Sequence, residues 1–210
     1  MKIEVKNITK KFKENCVINK ISATFESGKV YGLYGRNGSG KSVFLKMIAG
    51  LYIPTTGEIL YDGIDLNKED KYPISLRAFI ERPSFFPDLT GYQNLKLLAE
   101  IQDKIGDKEI INLIEEKDKK FSKYSLGMKQ KLGIAQVIME DPEVLIFDEP
   151  FNGIEKESVN KIMEYLKSQK EDGKCIFIST HIMEDLNRLA DHIYEMDCGS
   201  LIEVSNEKNK

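Results

Sequence analysis

The stretch "VYGLYGRNGSGKSVFLKMIAG", residues 30–50, constrains the chain more than any other. Its centre, "GRNGSGKS" at 35–42, fits G-x-x-x-x-G-K-[ST]. A short apolar strand is expected before it (30–34) and a helix after it (41–50), with Gly50 as a stop and Pro54 just beyond. Gly38 and Gly40 let the backbone curl tightly, so its N–H groups point inward at phosphate oxygens. The helix N-terminus adds partial positive charge. The candidate phosphate site is therefore Gly35, Arg36, Asn37, Gly38, Ser39, Gly40, Lys41 and Ser42, with Val43 on the first helical turn. In this pattern Lys41 bridges β- and γ-phosphates and the Ser42 hydroxyl ligates Mg²⁺. A dinucleotide site fits less well, because no ribose-binding acid stands at the expected place.

A second segment supplies the acids. In "VLIFDEP", residues 144–150, four apolar residues deliver Asp148 and Glu149 to the end of a buried strand, where open α/β sheets bind ligands. Asp148 is the candidate to hold Mg²⁺ through water, and Glu149 to orient or deprotonate an attacking water. "NKED" at 67–70 resembles the guanine-reading N-K-x-D, but it follows the phosphate loop too early and in a polar turn. It reads as a solvated charge cluster, which makes ATP the expected nucleotide.

The remaining pattern is an alternation of strands and helices. "IEVKNITKKF" alternates like an edge strand, and "VINKISATFESGK" reads as a strand ending at Ser27-Gly28. "GEILYDGIDL" is expected to form a small hairpin, and 90–118 to be mostly helical. In 155–170, Val159, Ile162, Met163 and Leu166 share one helical face; "KCIFIST" follows as a strand. Ile182, Leu186, Leu189 and Ala190 mark a further helix, and "HIYEM" with "SLIEV" a last hairpin. This order predicts an α/β fold with a largely parallel sheet, as one domain over 1–205 and a frayed tail at 206–210.

Composition narrows the partners. A net charge of −3 gives no broad basic surface for nucleic acid or anionic membrane. Cys16, Cys175 and Cys198 are scattered and odd in number, which argues against a disulfide framework or zinc site and fits a reducing cytosol. No run approaches the ~18 apolar residues of a membrane span, and the charged start "MKIEVKNITKK" is unlike a signal peptide. Any membrane role is expected to come through a partner.

With these motifs in order, the chain resembles the ATP-binding subunit of ABC transporters, from about residue 3 to about residue 204. "YSLGMKQKLGIAQVIMEDPEVLIFDEPFNGIE" looks like the family's signature segment running into its Walker B strand and D-loop, and "STHIMED" like its switch-histidine segment. The resemblance implies a P-loop NTPase of ABC type, with a small antiparallel β subdomain and a helical subdomain at about 84–135. It implies that Phe12 stacks on adenine, although a plain strand-core role for Phe12 stays open. Ser125, Gly127 and Met128 fall in the signature loop, with Leu126 where the family often has glycine. His181 is implied as the γ-phosphate switch, whereas His192 is left structural. The signature of one subunit closes over ATP on the P-loop of another, so a homodimer or paired ATPase subunit is implied, together with an integral membrane permease.

The departures are informative. Glu155 occupies the D-loop aspartate position, and 43 residues (82–124) lie between Glu81 and Ser125, so the helical subdomain is trimmed. The family usually has glutamine where Glu81 falls; there it would approach the γ-phosphate and Mg²⁺ as a cofactor and metal ligand. "IERPSFFPDLTGYQNL" (80–95) resembles ATPases of bacitracin- and lantibiotic-type self-protection exporters, the alternative being an unassigned multidrug or peptide exporter. Phe85, Phe86 and Leu89 are candidates to meet the membrane partner, a core role remaining open for one phenylalanine. The expected function is thus a Mg²⁺-dependent ATPase, peripheral at the cytoplasmic face of the membrane. The alternative is a soluble ABC-type ATPase acting on ribosomes or DNA.

Overall fold

The computed structural model describes residues 1–65, 68, 74–81, 84–101, 114 and 116–204. The chain opens with strands β1 (Lys2–Phe12), β2 (Asn15–Glu26) and β3 (Lys29–Tyr34), then helix α1 (Lys41–Ile48). Strands β4 (Thr56–Tyr61), β5 (Ile64–Asp65) and β6 (Leu76–Phe79) lead to α2 (Gly91–Ile101) and α3 (Leu126–Ile138). β7 (Val144–Asp148), α4 (Lys156–Glu171), β8 (Cys175–Thr180), α5 (Met183–Leu189) and the hairpin β9 (His192–Asp197) and β10 (Ser200–Val204) complete it.

Two sheets result. The larger runs β10-β9-β3-β8-β7-β6, parallel except for the β9–β10 hairpin; the smaller is antiparallel, β2-β1-β4-β5. The central strands are apolar runs because both faces are covered. In β7, Val144 and Ile146 join the core shared with α1 and the antiparallel sheet, while Leu145 and Phe147 join the core beneath the helices. Cys175 and Phe177 against Ile176 and Ile178 repeat the division in β8. α4 buries Val159, Ile162, Met163 and Leu166 as its spacing predicts, each contributing roughly 1.5–3 kcal/mol before entropy costs. α2 begins with a reciprocal cap: Thr90 N–H donates to Gln93 Oε1 at 2.9 Å and Gln93 N–H to Thr90 Oγ1 at 3.1 Å.

Two expectations need correction. β1 lies inside its sheet, between β2 and β4. Its alternation shows that one face is solvated; it carries no information about whether an edge is free. Ile182 precedes α5 in an extended conformation and is 44% exposed, so only Leu186, Leu189 and Ala190 are buried there. Helix in 90–118 is confined, among described residues, to α2; 102–113 and 115 lie outside them, and 116–118 form a turn. Of "NKED" only Lys68 is described, exposed and paired with Asp65 at 3.1 Å. Arg82, Pro83 and the tail 206–210 also lie outside the described residues. All three cysteines are free, and burial pushes the Cys175 thiol up to about 12.

Candidate functional site

Parallel pairing of β3, β8 and β7 aligns their carboxyl ends, with Tyr34 opposite Thr180 and Asp148 opposite Ser179. The phosphate loop leaves β3 there. Gly35 has φ +155°, and a Cβ on it would stand 2.4 Å from the Met196 carbonyl oxygen, so only glycine fits. Gly40 starts α1 with no side-chain cap, leaving the helix's first N–H groups for a ligand. Lys41 is buried, its Nζ donating to the carbonyls of Gly35 at 2.7 Å and Arg36 at 3.2 Å. Arg36, Asn37, Gly38 and Ser42 are exposed, and the Ser39 hydroxyl is buried without a hydrogen-bond partner.

A cleft of ≈ 210 Å³ joins this loop to the β7 acids; Asn37, Gly38, Gly40, Lys41, Ser42 and Val43 line one wall, and Asp148 and Glu149 another, with Val17. The Ser179 hydroxyl donates to Asp148 Oδ1. Glu149 has φ +49°, and its N–H donates to the carbonyl and hydroxyl of Ser179, each at 3.1 Å. Gln130 Nε2 donates to the Glu149 carbonyl at 3.3 Å. Glu149 Oε2 lies 2.9 Å from His181 Nδ1, while Oε1 lies 3.8 Å from Lys41 Nζ, buried and without a hydrogen-bond partner. Lys41, Ser42, Asp148, Glu149 and His181 are thus brought together.

The donor set suits a hard divalent cation. Among the described residues no cluster of three or more His, Cys, Asp or Glu could hold a cation by itself. Ser42 and Asp148 line the cleft as hard oxygen donors. Mg²⁺ fits such a site, because it keeps several waters and takes further oxygens from substrate phosphates.

Other predicted residues stand elsewhere. Ser125 caps α3, its Oγ accepting from Met128 N–H at 3.3 Å. Gly127 lies on the Gly153 carbonyl, where a Cβ would approach to 2.2 Å, and Leu126 is 49% exposed. None of the three signature residues Ser125, Gly127 and Met128 lines the phosphate cleft of its own chain. Phe12 is 41% exposed, edge-on to Tyr52 at 5.6 Å, which rules out a core role and leaves it outside the lining of the cleft. Glu81 is also outside it, paired with Lys46 at 2.5 Å. The Lys46 hydrogen bond holds the Glu81 carboxyl below its usual range and raises the lysine. Together they border a second groove of ≈ 460 Å³ beside Leu51, Tyr52 and Phe79. Phe85 is buried against Phe121, Leu89 is half-buried, and Phe86 is 60% exposed. His192 pairs with Glu203 at 2.8 Å and stacks on Tyr31.

Two residues at the site were not anticipated, Ser179 and Gln130. Gln130 had a signal: it is a polar residue on the buried stripe that runs on to Ile134 and Val137.

The ABC transporter family profile matches residues 18–152. A bacitracin transport ATP-binding protein, BcrA of Enterococcus faecalis, is 42% identical over 97% of this chain and 69% of its own. YybJ of Bacillus subtilis, an uncharacterized ABC transporter ATP-binding protein, is 41% identical over 95% and 94%, and the lantibiotic transport ATP-binding protein SrtF of Streptococcus pyogenes 33% over 91% and 85%. A solved ATP-binding subunit of an ABC transporter superposes with TM-score 0.83 at 25% identity, covering 99% of this chain and 91% of that one. A dimeric structure of MJ0796, a bacterial ABC transporter cassette, gives 0.84 at 26% identity over 98% and 99%.

Proposed function

This chain belongs to the ABC transporter family as an ATP-binding subunit, and from that premise we propose that it hydrolyses Mg²⁺-ATP at a site completed by a second copy, to drive a peptide exporter. One observation carries the reading. Glu149 offers to the phosphate cleft a buried Oε1 that has no hydrogen-bond partner, while His181 holds its other oxygen. A carboxylate so placed orients the attacking water and accepts its proton, an assistance of typically about 10²–10⁴-fold. Lys41 leaves the Gly35 and Arg36 carbonyls for the β- and γ-phosphates. His181 contacts the γ-phosphate. Ser42 and Asp148 would hold Mg²⁺, which neutralises charge developing on the phosphates when bound. Glu81 joins them only by releasing Lys46.

A second copy is supported by the size of the cleft. At ≈ 210 Å³ it is smaller than the roughly 300–1,000 Å³ of small-molecule sites. The Ser125 end of α3 stands apart from it and is free to cover the partner's nucleotide. Exposed Phe86 and the groove beside Glu81 are the surfaces offered to a separate membrane subunit. Among the described residues no helix is long and apolar enough to cross a membrane; membership of the transporter family supports attachment at the cytoplasmic face through that subunit. The bacitracin and lantibiotic transport relatives support antimicrobial peptide as cargo. The domain is read as one unit over 1–205, its helical part at about 84–135.

Glu149→Gln tests the proposal. ATPase activity should fall by about 10²–10⁴-fold, and ATP-bound dimers should accumulate on size-exclusion chromatography. Undiminished turnover would overturn it.

A further inference from the structure

We infer that Gln130 is a positioning residue that ties the Ser125 end of α3 to the Glu149 carboxylate, so that closing one nucleotide site sets the attacking group of the other. The inference rests on the two-site reading above.

Two contacts from α3 build the tie. Gln130 is a buried amide one turn and a half beyond the Ser125 cap, and its Nε2 donates to the Glu149 carbonyl at 3.3 Å. The same carbonyl accepts from Asn152 N–H at 3.4 Å, and the Glu149 N–H is held by Ser179. Both peptide groups of Glu149 are therefore pinned, which holds the residue at φ +49°. That torsion is uncommon for a residue with a side chain and persists only where surroundings impose it. The second contact from α3 is steric. Gly127, in the first turn of α3, rests on the Gly153 carbonyl, four residues after Glu149.

α3 thus presses on the Glu149–Gly153 turn at two points of known spacing. The end of α3 that would face the partner's nucleotide is rigid with the amide that holds this chain's own carboxylate. A shift of α3 on engaging one nucleotide turns the Glu149 peptide, and with it the aim of Oε1 in the other cleft. No proton or bond changes hands at Gln130; its contribution is orientation. A misplacement of about 1 Å at a reacting group can cost about 10²-fold in rate.

The test uses the full chain with Mg²⁺-ATP. Gln130→Met keeps length and burial but cannot donate. Expected are a kcat lowered about 10- to 100-fold, an unchanged affinity for a fluorescent ATP analogue, an unchanged thermal midpoint, and a Hill coefficient reduced to one. Cooperative turnover equal to wild type would overturn the inference, as would a joint loss of affinity, midpoint and kcat. Wild type that neither turns over nor dimerises with ATP would overturn the two-site reading itself, a different outcome. Should Gln130→Met not fold, Gln130→Lys keeps a donor and Gln130→Glu does not. The lysine variant turning over much faster supports the tie, and equal rates overturn it.

Discussion

α1 carries a cleft at each end, and the two are built on opposite terms. At its N-terminus the phosphate loop is determined by backbone: glycines at φ values closed to other residues, a buried lysine bonded to two carbonyls, and acids fixed by the β7–β8 register. At its C-terminus the groove is made of side chains, with Leu51 61% exposed and a Lys46–Glu81 pair whose acid is 76% exposed. The first end allows few substitutions and can aim atoms. The second can be re-partnered cheaply, which suits the surface proposed to meet a membrane subunit.

The largest expected effect breaks the rigid end. In Gly35→Ala the new Cβ meets a backbone oxygen at 2.4 Å, and the loop can yield only by leaving its phosphate-binding path. Left-handed strain alone costs about 1–3 kcal/mol, and the overlap adds to it. Urea unfolding should show at least that loss, and binding of a fluorescent ATP analogue should vanish. Near wild-type stability and binding would mean that the loop adapts, and the contrast between the two ends would fall.

A smaller effect is expected midway, at Asn94. This buried amide receives Phe86 N–H at 2.9 Å and donates to the carbonyls of Phe86, Thr90 and Leu89 at 3.1, 3.0 and 3.4 Å. It thus clamps a loop whose outer residue, Phe86, is exposed. Asn94→Ala leaves the Phe86 N–H without its acceptor and should cost about 1–3 kcal/mol in urea unfolding, while affinity for the ATP analogue stays as in wild type. Loss of nucleotide binding instead would show that the two ends are not separable.

The same contrast explains what the chain revealed beforehand. The phosphate loop, β7, β8 and the α4 stripe are local: residue type and spacing are demanded by backbone geometry or by burial of one face, so they can be read in order. The place of β1 inside its sheet is set by β4, about fifty residues away, and alternation is silent about it. Ile182 shares the spacing of its helix but belongs to the extended exit of β8. Gln130 pairs with a carbonyl 19 residues on, and Lys46 with an acid 35 residues on; neither distance leaves a mark in a local pattern. The missed contacts are the long-range ones, and the candidate site was legible in its motifs but not in the side chains that hold them.

Glu81 borders the second groove and pairs with Lys46 of α1, and it sharpens the comparison with the smallest effect. Glutamine at this position would offer a neutral carbonyl oxygen to Mg²⁺; glutamate offers a charge that a neighbouring lysine already holds. Lys46 is one turn beyond Ser42 on α1, so the ion pair tethers the root of the 81–90 loop to the phosphate-loop helix. In the proposed role at the metal, the free carboxylate would repel phosphate when no metal is bound, and Lys46 would mute that repulsion; with metal, the carboxylate would have two cations to choose between. Glu81→Gln removes both the tether and the choice. Stability should be unchanged, since exposed ion pairs contribute little. The ratio of ATP-analogue affinity in Mg²⁺ to that in EDTA should fall in the variant, by less than about tenfold because exposed charges are screened. An equal ratio in the two proteins would show that Glu81 takes no part in metal binding and belongs entirely to the groove.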